Sequence, residues 1–173
     1  MLKRGCCLGL GLALTGLMVV CASCGSSTTV VKGPEVGTTA PDFSLATLGG
    51  QSVSLSSLQG KPILLNFWAT YCSPCRVEMP YIQAIFEEKA GEGLVVIAIN
   101  VGEDESLVRG FVEEMGITFP MAIDFTQSVS MDYQVRYIPA TFFIDDAGVI
   151  KSIRVGAFRD EAELLDSLES IMK

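Results

Sequence analysis

Apolar and polar positions follow different rhythms along the chain. Cys7 to Val20 is an apolar run of small and aliphatic residues, and Gly25 to about Thr39 has no period at all. From there the pattern becomes ordered. Asp42 to Leu45 and Ser52 to Leu55 alternate around Gly49-Gly50, which predicts an edge hairpin. Ile63 to Trp68 and Leu94 to Ile99 are short continuous apolar runs and predict central parallel strands covered on both faces. Between them Met79, Ile82, Ile85 and Phe86 recur at helical spacing, which predicts a helix over 73–89 with a kink at Pro80. A second helix is predicted over 106–115, from Leu107, Phe111 and Val112, with short strands at 121–123 and 141–144. Asp145-Asp146-Ala147-Gly148 reads as a turn into a strand over 149–155, and an amphipathic helix is predicted over 160–172. The fold class is α/β, a central mixed sheet flanked by helices, with no internal repeat.

The first apolar run changes the domain picture. Met1-Leu2-Lys3-Arg4 supplies a positive n-region, and the following run has the length of a signal h-region but is short for a permanent membrane span of about 20 residues. It ends at Ala22-Ser23-Cys24-Gly25, where small side chains precede a cysteine. That arrangement resembles a lipobox with Cys24 as the acylated residue, although Cys21 stands where Leu is usual. Cys21 is the weaker acylation candidate, because bulky Val20 would occupy the cleavage site. The expected organisation is a signal peptide over 1–23, a flexible tether over 24–39 and one domain over 40–173, held outside the cytoplasm at the bacterial membrane.

Composition removes several classes of chemistry. The 173 residues contain no His, so no Ser-His or Cys-His pair and no His-containing zinc site is available. Twelve Lys and Arg against 20 Asp and Glu give a formal charge of −8, which argues against a nucleic-acid partner. Of six cysteines, four precede residue 25. A four-thiolate zinc site built from Cys21, Cys24, Cys72 and Cys75 is disfavoured, since its first pair lies at the end of the signal and the 47 residues between the pairs exceed common zinc-ribbon spacings.

The remaining chemistry sits in Trp68-Ala69-Thr70-Tyr71-Cys72-Ser73-Pro74-Cys75, at a strand-to-helix junction. Two cysteines two residues apart can close a small disulfide. The first faces the unpaired N–H groups of the helix terminus, which stabilise a thiolate. Cys72 is expected to be the exposed attacking sulfur and Cys75, one turn on, the sheltered resolving thiol. Pro74 suits the first turn, where its missing N–H costs nothing.

These residues, with Ala40-Pro41-Asp42-Phe43, Leu65-Asn66-Phe67-Trp68-Ala69, Glu78-Met79-Pro80 and Ile138-Pro139-Ala140-Thr141, carry a resemblance from about Val36 to Lys173. The chain resembles a thioredoxin-fold protein of the extracytoplasmic TlpA/ResA-type thiol-disulfide oxidoreductase branch. The resemblance implies a cis-proline loop at Ile138-Pro139 beside the disulfide, and a helix-plus-strand insertion within the roughly 40 residues from Asn100 to Pro139. Cytosolic thioredoxins carry a buried Asp where this chain has Asn66, and the branch instead offers a carboxylate at Glu78, one turn beyond Cys75. Glu78 is either that proton acceptor or an acid favoured by the helix dipole. Trp68, Tyr71, Ser73, Pro74 and Ile138 are the expected substrate-binding set, with Trp68 shaping the surface.

The implied activity is exchange through a Cys72/Cys75 dithiol, with no cofactor or metal beyond that disulfide. Implied partners are disulfide-bearing exported proteins such as apocytochrome c, and a membrane thiol-disulfide electron donor. Two other readings compete. A peroxiredoxin shares the Ala-Pro-Asp-Phe opening but needs Pro and Thr where Leu65 and Ala69 stand. A copper chaperone of this fold needs Cys-x-x-x-Cys and a distant His, and the chain has neither.

Overall fold

The computed structural model describes residues 33–172, so the expected signal, Cys21, Cys24 and most of the tether lie outside the described residues. Five strands form the central sheet in the order β5 (Met121–Asp124), β4 (Val95–Val101), β3 (Ile63–Trp68), β6 (Ala140–Ile144) and β7 (Ile150–Val155). β3 runs parallel to β4, and β4 to β5, whereas β6 is antiparallel to both β3 and β7. Every residue of β3 is buried, as a continuous apolar run requires of a strand covered on both faces. Its inner neighbours Leu64 and Trp68 pack under the helices of one face, while Leu65 and Phe67 pack on the other.

Helix α1 (Ser73–Lys89) has the predicted bounds and runs on through Pro80. It buries Cys75, Glu78, Met79, Ile82 and Ile85 against β3, β4 and α4 (Glu161–Leu168). Full burial of such an apolar side chain contributes about 1.5–3 kcal/mol. Helix α2 (Glu105–Met115) turns Val108 and Phe111 inward and ends at Gly116, whose φ of 66° is the left-handed C-terminal conformation that glycine tolerates.

Four details depart from the sequence reading. The hairpin β1 (Ser44–Ala46) and β2 (Ser52–Ser54) is a two-stranded sheet of its own, not an edge of the main one. It touches the β5 margin through a Thr47–Ala122 bridge and a hydrogen bond from the Leu48 amide to the Met121 carbonyl. Second, part of the expected tether is built onto the domain: the Gly37 amide donates to the Ile150 carbonyl and the Ile150 amide to that of Thr38. Third, α4 stops at Leu168 rather than Met172, because the Ile171 amide closes a tight turn on the Leu168 carbonyl and the Ser170 hydroxyl bonds back to Ser167. Fourth, α3 (Ser128–Asp132) follows β5; it is too short for a periodic signal and is held by Asp124, whose carboxylate accepts from the Val129 and Ser130 amides. The segment between β4 and β6 is thus helix, strand and short helix. Among the described residues no helix is long and apolar enough to cross a membrane.

Candidate active site

The C-terminal end of β3 delivers the chain into α1, and Cys72 caps that helix. Cys72 and Cys75 form a disulfide with Cα atoms 5.2 Å apart, and the Cys75 amide donates to the Cys72 sulfur at 3.2 Å. The helix terminus therefore already points an N–H at the atom that becomes a thiolate on reduction. Cys72 is 7% exposed and Cys75 is fully buried. The expected order of access holds, but Cys72 is only a small window in the surface and not the openly exposed sulfur that its position suggested.

Glu78 is fully buried. One carboxylate oxygen accepts from the Asn66 side-chain amide at 2.9 Å and the other from the Phe158 backbone amide at 3.1 Å. Burial pushes its pKa up to about 7, although the two hydrogen bonds and the charge of Arg154 work against that rise. This excludes a solvated helix-dipole acid. Asn66 also donates to the Thr141 hydroxyl at 2.9 Å, so one amide links β3, α1 and the strand that follows the proline loop. The Ile138-Pro139 bond is cis, with Pro139 buried and Ile138 half-buried.

The expected substrate surface divides. Ser73 and Pro74 are exposed, and Tyr71 is 73% exposed. Trp68 stands apart from them: it is fully buried, its ring 4.7 Å from that of Phe111, and lies in the core and not on the exposed surface. Tyr137, 74% exposed just before the proline loop, takes its place on the surface and was not singled out from the sequence. Thr70, Asn100 and Glu103, which brace the loop before Cys72, were also missed. Their one sequence signal is Asn100, a polar residue just past the apolar run that ends at Ile99. Ala69, where a peroxiredoxin needs Thr, is buried and brings no hydroxyl toward the sulfur.

A model of the AhpC/TSA family matches residues 36–153. The chain belongs to this family. Among AhpC/TSA-family relatives, the thiol-disulfide oxidoreductase ResA of Geobacillus kaustophilus is 43% identical over 136 residues, 79% of this chain and 78% of that one. The thioredoxin-like protein YneN of Bacillus subtilis is 44% identical over 127 residues, 72% of this chain and 74% of that one. A crystal structure of a thiol:disulfide interchange protein of the thioredoxin family from Chlorobium tepidum superposes with a TM-score of 0.70 at 29% identity, covering 78% of this chain and 96% of that one. This AhpC/TSA-family chain is a ResA-like thiol-disulfide oxidoreductase of thioredoxin-like fold, as the resemblance implied.

Proposed function

We propose that the protein reduces disulfides in exported polypeptides, with Cys72 attacking, Cys75 resolving and Glu78 accepting the proton of Cys75. The observation that carries this reading is Glu78, a buried carboxyl with a pKa near 7, one turn along α1 from a buried thiol. The Cys72 thiolate attacks one sulfur of the substrate disulfide; that bond breaks, a Cys72–substrate disulfide forms, and the other substrate sulfur leaves as a thiolate. Cys75 gives its proton to Glu78 and attacks the Cys72 sulfur. The mixed disulfide breaks, the Cys72–Cys75 bond forms, and the second substrate sulfur leaves, so two electrons have passed to the substrate. A membrane thiol-disulfide donor restores the dithiol by the same steps reversed, and apocytochrome c awaiting haem is a substrate of the right kind.

The direction is tested by equilibrating the protein with dithiothreitol. A reduction potential near the roughly −270 mV of thioredoxin is expected, and one near the roughly −120 mV of strong oxidants would make the protein a disulfide donor instead. Location is a separate matter. If Cys24 is acylated, Cys24→Ala moves the protein from the membrane fraction to a soluble one or stops its processing, and fatty-acid labelling is lost. Membrane retention that survives the substitution, with no label in the wild type, would favour an uncleaved helix.

A further inference from the structure

We propose that Glu103 is a positioning residue: it fixes the loop before Cys72 and thereby sets where the attacking sulfur stands relative to Cys75. The proposal rests on the exchange reading above and concerns a side chain that touches neither sulfur. Glu103 follows β4 and is only 8% exposed. Its carboxylate takes three hydrogen bonds, from the Thr70 amide at 2.6 Å, the Thr70 hydroxyl at 2.5 Å and the Asn100 side-chain amide at 2.7 Å. All three donors are neutral, so the anion is stabilised by aimed dipoles and not by a cation.

Each contact has a direction that matters. Asn100 is fully buried on β4, directly opposite Trp68 of β3, and orients the carboxylate from the sheet side. The carboxylate then grips Thr70 at both its main chain and its side chain, two residues before Cys72. Within the loop itself the backbone supplies a Cys72 amide to Ala69 carbonyl bond at 3.1 Å. Charge-assisted bonds of this kind are roughly twice as strong as neutral ones. Removing the acceptor leaves part-buried donors unpaired, and the loop can shift to hydrate them.

Resolution is the step that feels such a shift. Cys75 must approach the Cys72 sulfur along the axis of the mixed disulfide, and a misplacement of about 1 Å can cost an oriented reaction on the order of a hundredfold. Cys75 lies inside α1 and is fully buried, whereas Cys72 is the capping residue ahead of the helix, where the loop joins it. A clamp on the loop therefore controls the ring-closing step more than the first capture of a disulfide.

The test uses the reduced chain with Cys6, Cys7, Cys21 and Cys24 replaced by serine, which leaves Cys72 and Cys75 as its thiols, and an aromatic disulfide, dithiobis(nitrobenzoate), followed by stopped flow. The first phase is capture by Cys72 and the second is ring closure by Cys75. Glu103→Gln, which has one acceptor oxygen for three donors, is expected to slow ring closure about tenfold or more while capture stays within about twofold. Thr70→Ser keeps both donors and should match the wild type, whereas Thr70→Val loses the hydroxyl and should slow ring closure as well. Because the two residues act through one contact, the double variant Glu103→Gln with Thr70→Val should close no more slowly than the slower single. The proposal is overturned by ring closure unchanged in Glu103→Gln despite a lower melting temperature, by Thr70→Ser as slow as Thr70→Val, or by losses that multiply in the double variant. A wild type that releases only one nitrothiobenzoate per Cys72–Cys75 pair, with no ring closure, would overturn the exchange reading itself, and this proposal with it.

Discussion

Cys72→Ser is expected to abolish exchange, and Cys75→Ser to accumulate mixed disulfides with substrate proteins. The asymmetry follows from the site. Cys72 alone has a window to solvent, 7% against none for Cys75, and it alone receives the helix-terminal amide. Without it there is no first bond to form. Without Cys75 the first bond forms and the internal attack that releases it is lost, so release depends on an external thiol at much lower effective concentration. Non-reducing electrophoresis with mass spectrometry identifies the trapped species. Alkylation of the reduced wild type should reach Cys72 first, and equal rates at both sulfurs would count against the assigned roles.

Glu78→Gln is expected to change both the pH dependence of stability and the chemistry of Cys75. In the folded protein the pKa of Glu78 is raised from 4.5 to about 7, so between those values the native state holds a proton that the unfolded chain has lost. The stabilisation is fully present below about pH 4.5 and is lost as pH rises through about 7, a change of about 3 kcal/mol. Urea unfolding at pH 5 and pH 8 should show this slope in the wild type and not in the variant. The same ionised carboxylate disfavours a neighbouring thiolate, so the variant should lower a cysteine pKa. It should also slow resolution by about a hundredfold or more, because the proton acceptor is gone and Asn66 cannot exchange a proton. Stability slopes and rate profiles that overlay the wild type would leave Glu78 with no part in proton transfer.

The strands and the long helix were legible because their signals are local. Ile63 to Trp68 read as a doubly covered strand from its short apolar run, and the 73–89 helix from its apolar spacing and Pro74. Cys72, Cys75 and the Ile138-Pro139 loop were legible as motifs. What escaped was set by contacts distant in sequence. Glu78 could be read as an acid near the disulfide, but not as one held by the Phe158 amide 80 residues on. Thr70 bonds to Glu103, 33 residues beyond it, and neither Glu103 nor the Asn100 that orients it belongs to a recognisable motif. Trp68 was placed with the surface because it adjoins the active loop, but it ends a strand covered on both faces, and its ring is fully buried. The short α3 and the early end of α4 depend on side chains that compete for backbone groups, which periodicity does not register.

The proline loop has a consequence for how sequence-tolerant the protein must be. Pro139 has no N–H, and its carbonyl already accepts from the Gly156 amide at 2.8 Å. Under the proposed function, an incoming strand docking there would use the main chain of Ile138, whose peptide groups are independent of the side chains the visitor carries. On that reading a polypeptide caught before it has folded would be held by a feature common to every polypeptide, and the exposed rings of Tyr71 and Tyr137 are the side chains whose exchange would test for preference among clients. Breadth and choice would then be separable: exchanging those tyrosines would change which clients are preferred and leave the main-chain grip at Ile138 in place.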